Sequence, residues 1–254
     1  MRIKPLSFLC SFTVLIIASS TILAASGKDS VAQLVPPEAL RDAAEPLPNE
    51  VLDNLTVINE SNPNIKWDGQ RGKSRVLVAT FTRANGHASG KTASVIWVTV
   101  APELKDFCKK YKDTEATTEE LNRRLNQLLG LRPNEGFTHI AEIWVDPQYL
   151  RRPTLNPDIR RYPTKSEPLP IQLPLQFPQG VDIAYQKWFT KQVEDRAKSS
   201  YPWTGLGYTY DWSPKTNLQN HAGLSEFIIF PTPETPIPIE VKQILPTEKY
   251  CGME

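Results

Sequence analysis

Arg75-Val-Leu-Val-Ala-Thr-Phe81 and Ser94-Val-Ile-Trp-Val-Thr-Val100 are the stretches on which the fold turns. Both are nearly unbroken apolar runs rich in β-branched residues, which suits strands covered on both faces. The twelve residues between them, TRANGHASGKTA, carry turn signals at Asn85-Gly86 and Ser89-Gly90. The two strands are therefore expected to pair as a hairpin with a long loop.

Helical patterns follow this pair. Pro102 can open a short helix through Tyr111, and a clearer one starts near Thr118, with Leu121, Leu125, Leu128 and Leu129 on one stripe. Gly130 and Pro133 close it. Residues 137–146, FTHIAEIWVD, read as a third strand. Eight prolines between Pro147 and Pro178 rule out a helix or a central strand there, so that stretch is expected to wrap the surface in extended form. A third helix is predicted over residues 181–199. Two late strands are predicted at 223–230 and 239–244, separated by PTPETPIP. Paired strands with helices grouped between them predict an α+β fold: a mostly antiparallel sheet with two to three packed helices, in one domain spanning 66–254.

Upstream, residues 26–65 carry a net charge of −5 and five prolines, and read as an acidic linker or loosely docked arm. The first 25 residues start with Arg2 and Lys4 and continue as an uncharged apolar run. Ala24, Ala25 and Ser26 supply small residues for cleavage, the pattern of a signal peptide. A leader left uncleaved would be the only membrane attachment the sequence suggests, and Cys10 lacks the small residue before it that lipid modification requires. The expected compartment is periplasmic or extracellular, with no cytosolic nucleotide pool and with disulfides permitted. Cys108 and Cys251 are the cysteines beyond the leader, so they are expected to form one bridge. Losing the leader takes the formal net charge from +1 to −1. That balance gives no field for steering onto nucleic acid.

The segments FTHIAEIWVDPQYLRRP, YPWTGLGYTYDW and GLSEFII resemble an uncharacterised family of exported bacterial proteins, over about residues 70–254. The resemblance implies bacterial export and carries no activity or binding residues.

Recognised catalytic patterns are scarce. Gly86 to Thr92 misses the phosphate-loop spacing by one residue and leads into a strand rather than a helix. No G-x-S-x-G elbow is present. His87, His139 and His221 lack ligand spacing, so a metal site would have to be assembled from His139, His221 and Asp211; the plainer reading is structural, with no metal and no cofactor. Glu142, Asp211, Glu226 and His139 are the candidates for acid–base work. Glu142 lies in an apolar strand, where burial would raise its pKa unless an arginine among 151, 152, 160 and 161 paired with it.

The densest signal is Tyr201 to Trp212, five aromatics in twelve residues. Tyr208, Tyr210 and Trp212, with Trp203 nearby, could form a stacking platform for a glycan or peptide, or simply be core. The sequence thus favours an exported ligand-binding or envelope-associated module. The alternative is an extracytoplasmic hydrolase pairing Glu142 with Asp211 or Glu226, and whether the protein is an enzyme stays open at this point.

Overall fold

Alternation within Val76–Thr82 (β1) sends Val76 and Val78 to one side of a sheet and Leu77, Ala79 and Phe81 to the other. Both sides are buried, which is why the run is apolar throughout. The computed structural model describes residues 34–111, 116–133, 135–214, 221–232 and 235–253. The leader, its cleavage site and Cys10 lie outside them.

Eight further strands follow β1: Gly90–Thr92 (β2), Ile96–Val100 (β3), His139–Val145 (β4), Leu150–Arg151 (β5), Tyr208–Tyr210 (β6), Ala222–Ser225 (β7), Phe227–Ile229 (β8) and Ile237–Pro246 (β9). Seven of the nine form one antiparallel sheet in the order β2-β9-β4-β1-β3-β8-β5, with β1 at its centre; β6 and β7 make a separate two-stranded sheet. The edge strands β2 and β5 are only three and two residues long. Short edges of this kind resist edge-to-edge association.

The helices are Pro37–Ala44 (α1), Ala101–Tyr111 (α2), Thr118–Leu128 (α3), Ile183–Arg196 (α4) and Thr247–Cys251 (α5). The architecture is α+β, a single sheet-dominated domain, as the strand and helix patterns predict. Thr117 and Glu120 form a reciprocal capping box that starts α3. Asp182 caps α4 by accepting from the N–H groups of Ala184 and Tyr185. On one face of the sheet, Leu77, Ala79, Phe81 and Ile140 pack against Leu104 of α2, Leu121 and Leu125 of α3, and Tyr250 of α5. Further along that face, Ile228 meets Tyr185, Phe189 and Val193 of α4. The opposite face is covered by non-helical segments through Ile58, Ile65 and Ile159. Cys108 of α2 and Cys251 of α5 stand at disulfide distance, with Cα atoms 4.7 Å apart across 143 residues of sequence. Among the described residues no helix is long and apolar enough to cross a membrane.

Three expectations change. Residues 35–65 are not a linker or loose arm. Val35, Ala39 and Ala43 pack on Tyr210 and Trp212, Val51 and Leu55 on Leu206 and Tyr208, and Ile58 and Ile65 enter the main core. Acidic residues and prolines mask that apolar spacing, yet each large side chain so buried contributes about 1.5–3 kcal/mol. The loop between β1 and β3 is more than a hairpin connection, because its residues Gly90–Thr92 pair with Ile237–Ile239 of β9. The strand predicted at 223–230 is two strands in two sheets, broken at Glu226.

Candidate functional site

The break at Glu226, where the chain passes from one sheet to the other, creates a candidate site. Ser225 ends β7, which pairs with β6, and Phe227 begins β8, which pairs with β3 and β5. Between them the Glu226 N–H donates to the Gly207 carbonyl at 2.9 Å. Gly207 has φ +83°, and a Cβ there would lie 2.8 Å from Cδ of the wholly buried Arg152. Only glycine meets both demands, a left-handed backbone and room for the arginine.

Glu226 lies on the wall of a cavity of ≈ 850 Å³. The cavity lies over the β1–β3 part of the sheet, beside the C-terminal end of α4 and the Tyr201–Trp203 segment. Its aromatic lining includes Phe81, Trp97, Phe137, Tyr201 and Trp203. Trp97 and Trp203 meet edge to face, 6.0 Å between centroids. Trp203 Nε1 donates to Glu226 Oε2 at 3.1 Å, and it is the carboxyl group's only hydrogen-bond partner among the described residues. Burial pushes the Glu226 carboxyl up to about 8, against smaller lowering effects from the Trp203 bond and the Arg152 guanidinium. At neutral pH the group is therefore a carboxylic acid able to donate a hydrogen bond.

Behind this wall, Arg152 donates to three carbonyls, those of Thr56 at 2.5 Å and of Arg161 and Gly207 at 3.2 Å each. Its guanidinium lies 4.6 Å from the centroid of the Phe227 ring, and burial lowers its pKa to about 10. It makes no ion pair among the described residues, so its donors are spent on backbone. Glu103 of α2 accepts the N–H of Ser225 at 2.9 Å, and burial raises its pKa too. His87 also lines the cavity, and burial lowers its pKa, favouring the neutral imidazole.

The remaining candidates are dispersed. Glu142 is buried, but its Oε2 pairs with Lys242 Nζ at 2.5 Å and accepts from Gln243 Nε2 at 2.7 Å. Its partner is thus a lysine on the neighbouring strand and none of the four arginines. A bulge between Glu142 and Ile143 leaves Lys242 without a partner in the β4–β9 register. Such a bulge re-aims a side chain, here bringing the ammonium onto the carboxylate. Asp211 is held bidentately by Arg124, at 3.0 and 2.5 Å. His139 is half-buried beside the Thr138 hydroxyl, while His221 stacks on Tyr210 at 4.8 Å. The set His139, His221 and Asp211 is not assembled, and among the described residues no group of three or more His, Cys, Asp or Glu side chains could hold a metal ion.

The rings of Tyr208, Tyr210 and Trp212 are only 1%, 2% and 2% exposed, so the platform reading gives way to core. Their polar tips are spent internally, on Glu50 O, Asp42 Oδ2 and Leu131 O. Trp203 alone of the four reaches the cavity. Sequence reasoning missed Trp97, although it is the one exposed position in an otherwise buried strand. It also missed Phe137, which carries no signal beyond being aromatic.

A comparison with known protein families, characterised proteins and solved structures finds no match for this chain.

Proposed function

We propose that this protein is an exported, ligand-binding module of the cell envelope, periplasmic or secreted, and that its ligand occupies the cavity beside Glu226. The observation that carries this reading is the cavity itself. Its volume of ≈ 850 Å³ falls within the range of small-molecule sites, and it combines aromatic walls with one under-bonded acid. The aromatic lining suits a sugar ring or a peptide side chain as well as other flat molecules. Export rests on the leader, and an oxidising compartment agrees with a Cys108–Cys251 bridge.

The hydrolase alternative draws little support. Gln243, Glu142, Ala79 and Thr99 stand in register across β9, β4, β1 and β3. Continuing the β3–β8 register by one residue places Glu226 next in that row. Three strand spacings separate Glu142 from Glu226, about 14 Å. A carboxylate pair in a glycosidase needs about 5–10 Å. Asp211 and Glu142 are, in addition, each committed to a basic partner.

The test is titration of the folded protein with the neutral dye N-phenyl-1-naphthylamine. Saturable binding at one site is expected, weakened at least tenfold by Trp97→Ala. No saturable binding, or equal binding by the variant, would overturn the proposal.

A further inference from the structure

Taking the cavity as a ligand site, the reading on which this inference rests, the chemistry of its wall narrows what it can hold. We propose that the ligand is an uncharged, ring-shaped apolar molecule bearing a carbonyl-type oxygen. The ring lies against Trp97 and Trp203, and the oxygen accepts the proton of the Glu226 carboxyl group.

Three observations lead there. First, Glu226 has one oxygen fixed by the Trp203 indole and the other without a partner among the described residues, on the wall of an aromatic cavity. No protein acceptor among the described residues meets the acid's proton, which is left open to an acceptor in the cavity. Second, several other polar groups of the wall are already engaged, although the Thr99 hydroxyl, next to Glu226 in the sheet row, has no partner among the described residues. Arg196 donates to the carbonyls of Thr204 and Pro170 at 3.0 and 2.9 Å. Thr209 Oγ1 donates to Leu128 O at 2.7 Å, and the Tyr201 hydroxyl donates to Glu135 at 2.7 Å. Third, the charged groups around Glu226 disfavour an ionic ligand. Arg83, His87, Asp195 and Arg196 line the cavity, while Arg152 and Glu103 stand behind the acid. Asp195, the other acid of the lining, pairs with Lys191. A cationic ligand would face Arg83 and Arg196 and would require Glu226 to ionise where the anion is poorly solvated. An anionic ligand would itself be desolvated beside a neutral acid. A neutral acceptor asks neither partner to change its charge.

The experiment compares three probes of matched shape, read by quenching of tryptophan fluorescence at pH 6 and pH 9: 2-acetylnaphthalene, 2-ethylnaphthalene and 2-naphthylmethylamine. At pH 6 the ketone is expected to bind at least tenfold more tightly than the hydrocarbon, and at pH 9 that advantage is expected to disappear. Glu226→Gln keeps a donor, so it should retain the ketone preference and lose its pH dependence, separating Glu226 from Glu103 and His87. Glu226→Ala should abolish the preference, ketone and hydrocarbon then binding alike. Equal binding of ketone and hydrocarbon, or an amine preference that strengthens with pH and is lost in Glu226→Gln, would overturn this inference and leave the binding module standing. Failure of all three probes to bind would remove the binding reading itself.

Discussion

Glu142 and Glu226 occupy the same row of one sheet face and are almost equally buried, at 3% and 7% exposure, yet their surroundings differ sharply. On the β4–β9 flank a bulge delivers Lys242, and Gln243 adds a second donor. On the β3–β8 flank the strand breaks, and among the described residues no cation comes within ion-pairing distance and a single indole N–H meets the carboxyl. One flank neutralises its acid with a counter-charge, the other with a proton. The first arrangement closes the site against a helix-covered core, whereas the second leaves a donor on the wall of a cavity. The position of a buried acid in a sheet thus says little about its role. The local backbone irregularity beside it says much more.

Removing the counter-charge should have the largest effect. Lys242→Met leaves Glu142 buried without its cation and is expected to cost about 3 kcal/mol, read as a lower urea midpoint. A loss below about 1 kcal/mol would mean that Gln243 alone suffices, and the contrast between the flanks would dissolve.

The opposite sign is expected on the other flank. The Glu226 carboxyl stands at about 8 in the folded protein against 4.5 unfolded. Between those values the folded state holds the extra proton, so stability falls as pH rises through that window, by up to about 1.4 kcal/mol per unit. Glu226→Gln removes this slope. It should stabilise by about 2.5 kcal/mol more at pH 7 than at pH 5, measured by urea unfolding at both values. Parallel pH profiles for variant and wild type would show that the acid is not held neutral.

The smallest effect belongs to the cavity wall. Trp97 is 36% exposed, and Trp97→Ala should cost only about 1 kcal/mol. A loss of 3 kcal/mol or more in thermal unfolding would place Trp97 in the core and make the two flanks alike.

Much of the main sheet was legible because burial on both faces leaves an unmistakable apolar run, as in β1 and β3. The α3 pattern was legible for a similar reason, its leucines falling on one stripe behind a capping residue. The break at Glu226 was not. GLSEFIIF looks like one strand, and its division depends on a hydrogen bond to Gly207, nineteen residues earlier. Glu226 and Trp203 were each visible as candidates, one among the acids and one among the aromatics. Their meeting depends on the chain passing between two sheets, which no local pattern encodes. The burial of Tyr208 and Trp212 was hidden likewise, since their cover comes from residues 35–55, more than 150 positions away.

β9 is the last strand of the described residues in sequence, yet it stands second in the sheet, between β2 and β4. Its pairing with β4 joins His139 to Pro246 and Trp144 to Glu240, about a hundred residues apart. Until that segment arrives, β4 carries an open row of backbone donors and acceptors along one side. A kinetic liability follows. Non-local pairing of this kind forms late and slowly, and the interval exposes an apolar strand to neighbouring chains. The molecule's weak moment lies in its assembly, and the strand most at risk then is the one that later holds Glu142 inside the finished sheet.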